Sequence, residues 1–248
     1  MRRARPLAPV LGLMLAAAAL ALAGCGPEKH DDLFGARVRA YLLSHPEILV
    51  EMSDKLQAKA AKDAEAEADK ALAQGKLALA KPEIRKALEH DSRDYVANPD
   101  GKITVTEFYD YRCPHCVNMA PAVMTLIKDN PDVRFVFKEM PIFGSTSDRA
   151  ALAAIAIHRK GGDVMAAHRA FMAAHPLTDA GVDQVLRQNG IDPAAIDTDE
   201  AQSQLKDVKR LASNLGANGT PTFVIGDTII PGEGERQLLE AIAQARGK

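Results

Sequence analysis

Cys113-Pro114-His115-Cys116, two cysteines with two residues between them, is the stretch whose residue types and spacing can do chemistry. It follows an apolar run with strand character, Ile103 to Tyr109, and precedes a helical pattern, which puts Cys113 at a helix N-terminus. There the unpaired N–H groups and the positive end of the helix dipole favour a thiolate, and His115 can add a donor or a positive charge. Cys113 is therefore the expected nucleophile. Pro114 suits the first turn, where its missing N–H goes unused, and Cys116 lies one turn further in, pointing back under Cys113. This geometry closes into a disulfide, so the chemistry needs no cofactor beyond the Cys113–Cys116 pair. A structural disulfide or half of a zinc site would share the spacing, but zinc wants four ligands and the chain has only 3 cysteines.

Glu107 stands in the strand ahead of the pair. An acid there can sit under the cysteines with a raised pKa and relay protons to and from Cys116; a strand glutamate facing solvent is the plainer alternative. His30, His45, His90, His158, His168 and His175 have no ligand spacing and are assigned to surface or helix packing, so no metal site is expected from them. A reading from another class is a tethered copper or zinc binder, because two thiolates suit soft metals, but no third ligand is visible.

The elements that position these residues begin after the turn signal Ala97-Asn98-Pro99-Asp100-Gly101, which marks the expected start of a domain spanning residues 98–248. Residues 103–109 are a strand, 114–130 a helix and 133–138 a second strand, a unit that implies parallel pairing. A helical block over about residues 145–214 follows, expected as a lid beside the redox pair. Strand character returns at 222–225 and 228–230 before a closing helix over 235–245. The fold class is therefore α/β, thioredoxin-like in order, with an inserted helical domain and an N-terminal helical stalk.

Residues 1–24 have the pattern of an export signal: Arg2, Arg3 and Arg5, an apolar core over 7–22, then small residues. The core is rather short for a membrane span. It runs into Leu22-Ala23-Gly24-Cys25, which resembles the lipobox of bacterial lipoprotein precursors, where the cysteine is lipidated. Lipidation of Cys25 would leave Cys113 and Cys116 as a self-contained pair; ordinary cleavage near Ala23 would leave Cys25 free. Gly26 rather than Asp follows Cys25, so the resemblance implies an anchor in the outer membrane rather than the inner. Without the leader, 28 basic and 33 acidic residues leave a charge of −5, which argues against a nucleic acid as partner.

Residues 25–97 form the expected stalk. Ser44-His45-Pro46-Glu47 divides its helical pattern, with Ser44 as N-cap and Glu47 completing a capping box. Val38, Leu42, His45, Leu49, Met52 and Leu56 alternate steps of four and three, the spacing of a coiled-coil seam that can hold partner chains or pack on its own domain. Beyond Lys59 the pattern is Ala with mixed charges, a solvated spacer with Gly75 and Pro82 as joints.

The Cys-Pro-His-Cys pattern, Glu107 and the placement of the helical block resemble the DsbA-like branch of thioredoxin-fold oxidoreductases. Gly219-Thr220-Pro221-Thr222-Phe223 matches that family's cis-proline loop, although Gly-Thr-Pro alone fits any tight turn. The resemblance implies that Pro221 lies across from Cys113 and that the Thr220 backbone pairs with an incoming substrate chain. Val38-Arg39-Ala40-Tyr41-Leu42-Leu43 through His45-Pro46-Glu47 resembles the stalk of the suppressor-of-copper-sensitivity C proteins, implying a homo-oligomer, a trimer by that likeness, and disulfide isomerase activity. A dithiol oxidase is the alternative direction. The implied partners are cysteine-containing exported proteins and a membrane reductase or oxidase.

Overall fold

The computed structural model describes residues 32–247; the leader and Cys25 lie outside the described residues. The chain divides into two compact units, and the division falls between Lys62 and Asp63. It does not fall at the 97/98 turn expected from sequence. The reason is packing: Leu79, Leu88 and Ala97, all ahead of that turn, are buried core residues of the second unit.

The first unit contains α1 (Asp32–Ser44) and the start of α2 (Glu47–Leu79). The two helices meet at His45-Pro46, as expected. Ser44, however, closes α1 and does not cap α2: its Oγ donates to the Tyr41 carbonyl at 2.9 Å. Leu49, Met52 and Leu56 are exposed, so the seam remains open to solvent.

The second unit is a five-stranded sheet with helices on both faces. Its strands are β1 (Tyr95–Ala97), β2 (Ile103–Tyr109), β3 (Val133–Glu139), β4 (Thr222–Ile225) and β5 (Thr228–Pro231), in the order β1-β3-β2-β4-β5. β2 and β3 run parallel, with Val105 opposite Phe135 and Glu107 opposite Phe137; the other pairs are antiparallel. Helix α3 (Pro82–Glu89) precedes the sheet, and α4 (Pro114–Asp129) is the crossover between β2 and β3. The helical block is α5 (Ser145–Arg159), α6 (Val164–Ala173), α7 (Asp179–Gln188) and α8 (Asp199–Asn214), and α9 (Glu235–Arg246) closes the chain.

Both faces of β2 are covered, so Val105 to Tyr109 are all buried, the polar Thr106 and Glu107 among them. Val105 and Tyr109 join the core under α4 to α7 and α9, while Phe108 joins a second core with Leu79, Leu88 and Leu211 of α2, α3 and α8. The second core corrects the spacer reading. Gly75 is a buried residue inside α2, where a Cβ would collide with the Leu215 carbonyl oxygen, so it permits close packing and is not a joint. Pro82 does open a new helix, at the first position of α3.

Candidate active site

The redox motif sits where β2 hands the chain to α4. Cys113 is the N-cap of α4 in extended conformation (φ −71°, ψ 119°), Pro114 occupies the first turn, and Val117 N donates to the Cys113 carbonyl at 3.1 Å. The turn is held by Asp110, which the sequence reading passed over. Its Oδ1 accepts from Arg112 N at 2.7 Å, and its Oδ2 accepts from Ile142 N at 2.6 Å and Phe143 N at 3.1 Å. One buried carboxylate thus fastens the motif to the segment after β3, satisfying backbone donors that would otherwise be orphaned.

Cys113 is not exposed as its helix-terminal position suggested. It is 1% accessible, because its Sγ turns onto the Thr220 carbonyl oxygen at 3.0 Å. The Thr220–Pro221 peptide is cis, and the Thr220 carbonyl lies against Cys113 Sγ. Thr222 Oγ1 donates to the Gly219 carbonyl at 2.7 Å, and Gly232 N donates to the Pro221 carbonyl at 2.8 Å, pinning both ends of this loop.

Cys116 is also a buried free thiol. Burial, and next the charge of Glu107, push its pKa well above the ordinary thiol value. Glu107 faces inward between Phe137 and Phe223, its neighbours on the flanking strands, which excludes the solvent-facing alternative. Burial pushes its pKa up to about 8, and its Oε2 has no hydrogen-bond partner. A carboxyl with a raised pKa beside a thiol that resists ionisation has the chemistry to exchange a proton with it. Cys113 and Cys116 thus sit in the first turn of α4, with the buried Glu107 close enough to bear on the Cys116 thiol.

His115 points outward. Its Nδ1 lies 2.6 Å from Glu233 Oε1, which also accepts from Asn118 Nδ2 at 3.2 Å. These two bonds, His115 first, hold the Glu233 carboxyl below its usual range. Glu233 could not be found from sequence, because it reaches the motif from the loop after β5.

Beneath the motif lies a buried polar floor. Tyr109 and Tyr111 share a hydrogen bond of 3.0 Å between their hydroxyls, and Tyr109 also donates to Glu139 at 3.2 Å. His168 of α6 packs edge-on against both rings, and burial pushes its pKa down to about 4. This is where the helical block meets the strand end and turn that lead into the redox motif. Among the described residues no group of three or more His, Cys, Asp or Glu is arranged to hold a metal ion, and no helix is long and apolar enough to cross a membrane.

Comparison with known proteins places this geometry. Residues 104–243 match the family described as a DSBA-like thioredoxin domain, and residues 32–62 match the copper resistance protein ScsC N-terminal domain. A thioredoxin-like oxidoreductase from Silicibacter pomeroyi is 36% identical, covering 66% of this chain and 98% of that one with a TM-score of 0.62. The catalytic domain of Proteus mirabilis ScsC is 28% identical, covering 70% and 99% with a TM-score of 0.62. Among curated proteins, Na(+)/H(+) antiporter NhaA 3 of Salinispora tropica is 30% identical over 146 residues, which are 54% of this chain but only 22% of the antiporter.

Proposed function

Because the chain belongs to the DSBA-like thioredoxin domain family of thiol-disulfide oxidoreductases, we propose that it reshuffles and reduces disulfides in other exported proteins. The observation that carries this reading is the Cys113 thiol at the start of α4 hydrogen-bonded to the Thr220 carbonyl of the Gly219–Pro221 loop, with Cys116 and the buried Glu107 nearby. The Cys113 thiolate attacks one sulfur of a substrate disulfide, forming a mixed disulfide and releasing the other sulfur as a thiolate that takes a proton. In isomerisation a different substrate thiolate then attacks the substrate sulfur and frees Cys113. In reduction Cys116 gives its proton to Glu107, attacks Cys113 Sγ and releases the substrate thiol, so two electrons pass to the substrate and the pair is left as a disulfide.

Isomerase direction is favoured by the match of residues 32–62 to the ScsC N-terminal domain together with the open seam. Copies joined along Leu49, Met52 and Leu56, three by the resemblance, would present several thiols to one misfolded chain at high effective concentration. The protein would work in the periplasm, anchored through Cys25 in the outer membrane, with a membrane reductase keeping the pair reduced. In the oxidase alternative the pair starts as a disulfide and is passed to the substrate.

The test is a scrambled disulfide substrate offered to Cys113→Ser and Cys116→Ser chains. Cys116→Ser should accumulate the mixed disulfide and retain isomerisation, while Cys113→Ser should lose more than about a thousandfold in rate. Mixed disulfides on Cys116 instead would reverse the roles. A wild-type chain that oxidises reduced substrate faster than it repairs scrambled substrate would favour the oxidase direction.

A further inference from the structure

On the far side of Thr220 from Cys113 lies a pocket of about 250 Å³ lined by Ala68 and Leu72 of α2, Ala217, Thr220, Pro221 and Pro231. Resting on the thiol-exchange reading above, we propose that this pocket takes an aliphatic side chain adjacent to the cysteine of a non-native substrate polypeptide. The helix that leads into the N-terminal unit thus supplies one wall of the substrate site.

Two observations point to a side chain of a bound polypeptide. First, the pocket is continuous with the reacting sulfur: Thr220 contributes to its lining and accepts from Cys113 Sγ through its carbonyl at 3.0 Å. A chain attached to Cys113 must run past it. Second, the volume falls below the roughly 300–1,000 Å³ common for small-molecule sites, and the lining is mostly apolar, which suits one aliphatic group.

The wall is fixed to the loop. A Cβ at Gly75 would collide with the Leu215 carbonyl oxygen, and one at Gly216 (φ +67°) would collide with the Ala71 carbonyl oxygen. Backbone therefore meets backbone at both glycines, and α2 cannot slide without displacing the segment that leads to Thr220. Such a preformed pocket gives up little ordering entropy when it is filled. The substrate class follows from the same chemistry. Folded proteins keep aliphatic residues beside their disulfides buried, whereas misfolded chains expose them.

The experiment uses the full chain carrying Cys116→Ser, so that mixed disulfides persist. Peptides with one cysteine, blocked as a disulfide with glutathione, carry Leu or Ser on either side of that cysteine. Attack by Cys113 on the peptide sulfur releases glutathione, and the rate of peptide attachment is read by mass spectrometry. The Leu peptide should react about tenfold faster than the Ser peptide. Adding Ala68→Glu should bring that ratio close to one, and Ala68→Ser should keep most of it. A reacting chain with a ratio of one, or a ratio unchanged by Ala68→Glu, overturns the subsite alone. A chain that attaches neither peptide overturns the thiol-exchange reading, and the subsite with it.

Discussion

In residues 63–247 most large apolar side chains are put away, Leu79, Leu88 and Phe108 at most 1% exposed, with Leu77, Ile142, Phe143 and Leu239 as exceptions. In residues 32–62 the same kinds of side chain face water, with Leu49 at 61%, Met52 at 59% and Leu56 at 68%. The second unit satisfies itself with a sheet covered on both faces. The described residues of the first form two helices with no third layer among them, so their stripe needs another surface to be buried against. The contrast separates a self-contained unit that carries the redox motif from one that leaves an apolar stripe open, and the residues between Asp63 and Ala97 belong with the redox motif.

The largest effect comes from cutting at two places. Deleting residues 26–62 should leave a folded domain that still reacts through Cys113. Deleting residues 26–97 removes Leu79, Leu88 and the β1 pairing with β3, at a cost of about 2–5 kcal/mol for each fully buried leucine. Circular dichroism and urea unfolding should show the shorter protein unfolded. If both deletions are equally stable, the boundary belongs at the 97/98 turn after all.

A smaller effect separates the buried acid from its surroundings. Glu107 has a folded pKa of about 8, above its unfolded value, so the native state binds more protons between roughly pH 4.5 and 8 and loses stability as pH rises through that window. Glu107→Gln removes this dependence. The variant should gain about 2–4 kcal/mol over the wild type between pH 5 and pH 8 while its Cys116 step slows. An identical pH dependence of unfolding in both proteins would place Glu107 in contact with solvent.

The smallest effect tests the open stripe. Leu49→Asp with Leu56→Asp should convert an oligomer to a monomer in sedimentation and lower repair of scrambled substrate about tenfold per subunit. Alkylation of Cys113 serves as the control for an intact domain. A wild type that sediments as a monomer would leave the stripe without this role.

Much of the site was legible because its signals are local. The spacing of Cys113 and Cys116, the strand before them and Gly219-Thr220-Pro221 are each contained in a few residues. Asp110 looked like an ordinary loop acid, because its partners Ile142 and Phe143 are more than 30 positions away. Gly75 looked like a joint, because a lone glycine in a helix says only that a side chain is unwanted; the reason lies at Leu215. β1 was missed because three residues carry almost no periodicity, and its pairing depends on β3. The burial of Cys113 was hidden for the same reason, since the Thr220 carbonyl that covers it comes from the far end of the chain.

The paired glycines have a consequence for how the sequence can drift. Most of α2 is exposed and built from Ala, Lys, Glu and Asp, a stretch where exchanges among helix formers should be nearly silent. Gly75 and Gly216 break that tolerance, because any larger residue at either forces two backbones apart at once. A saturation screen over the exposed positions 57–67 and position 75 of α2, selecting for disulfide repair, should therefore show a broad plateau of acceptance that ends sharply at position 75. Rescue of a substitution there would have to come from 215 or 216, making the two segments evolve as one.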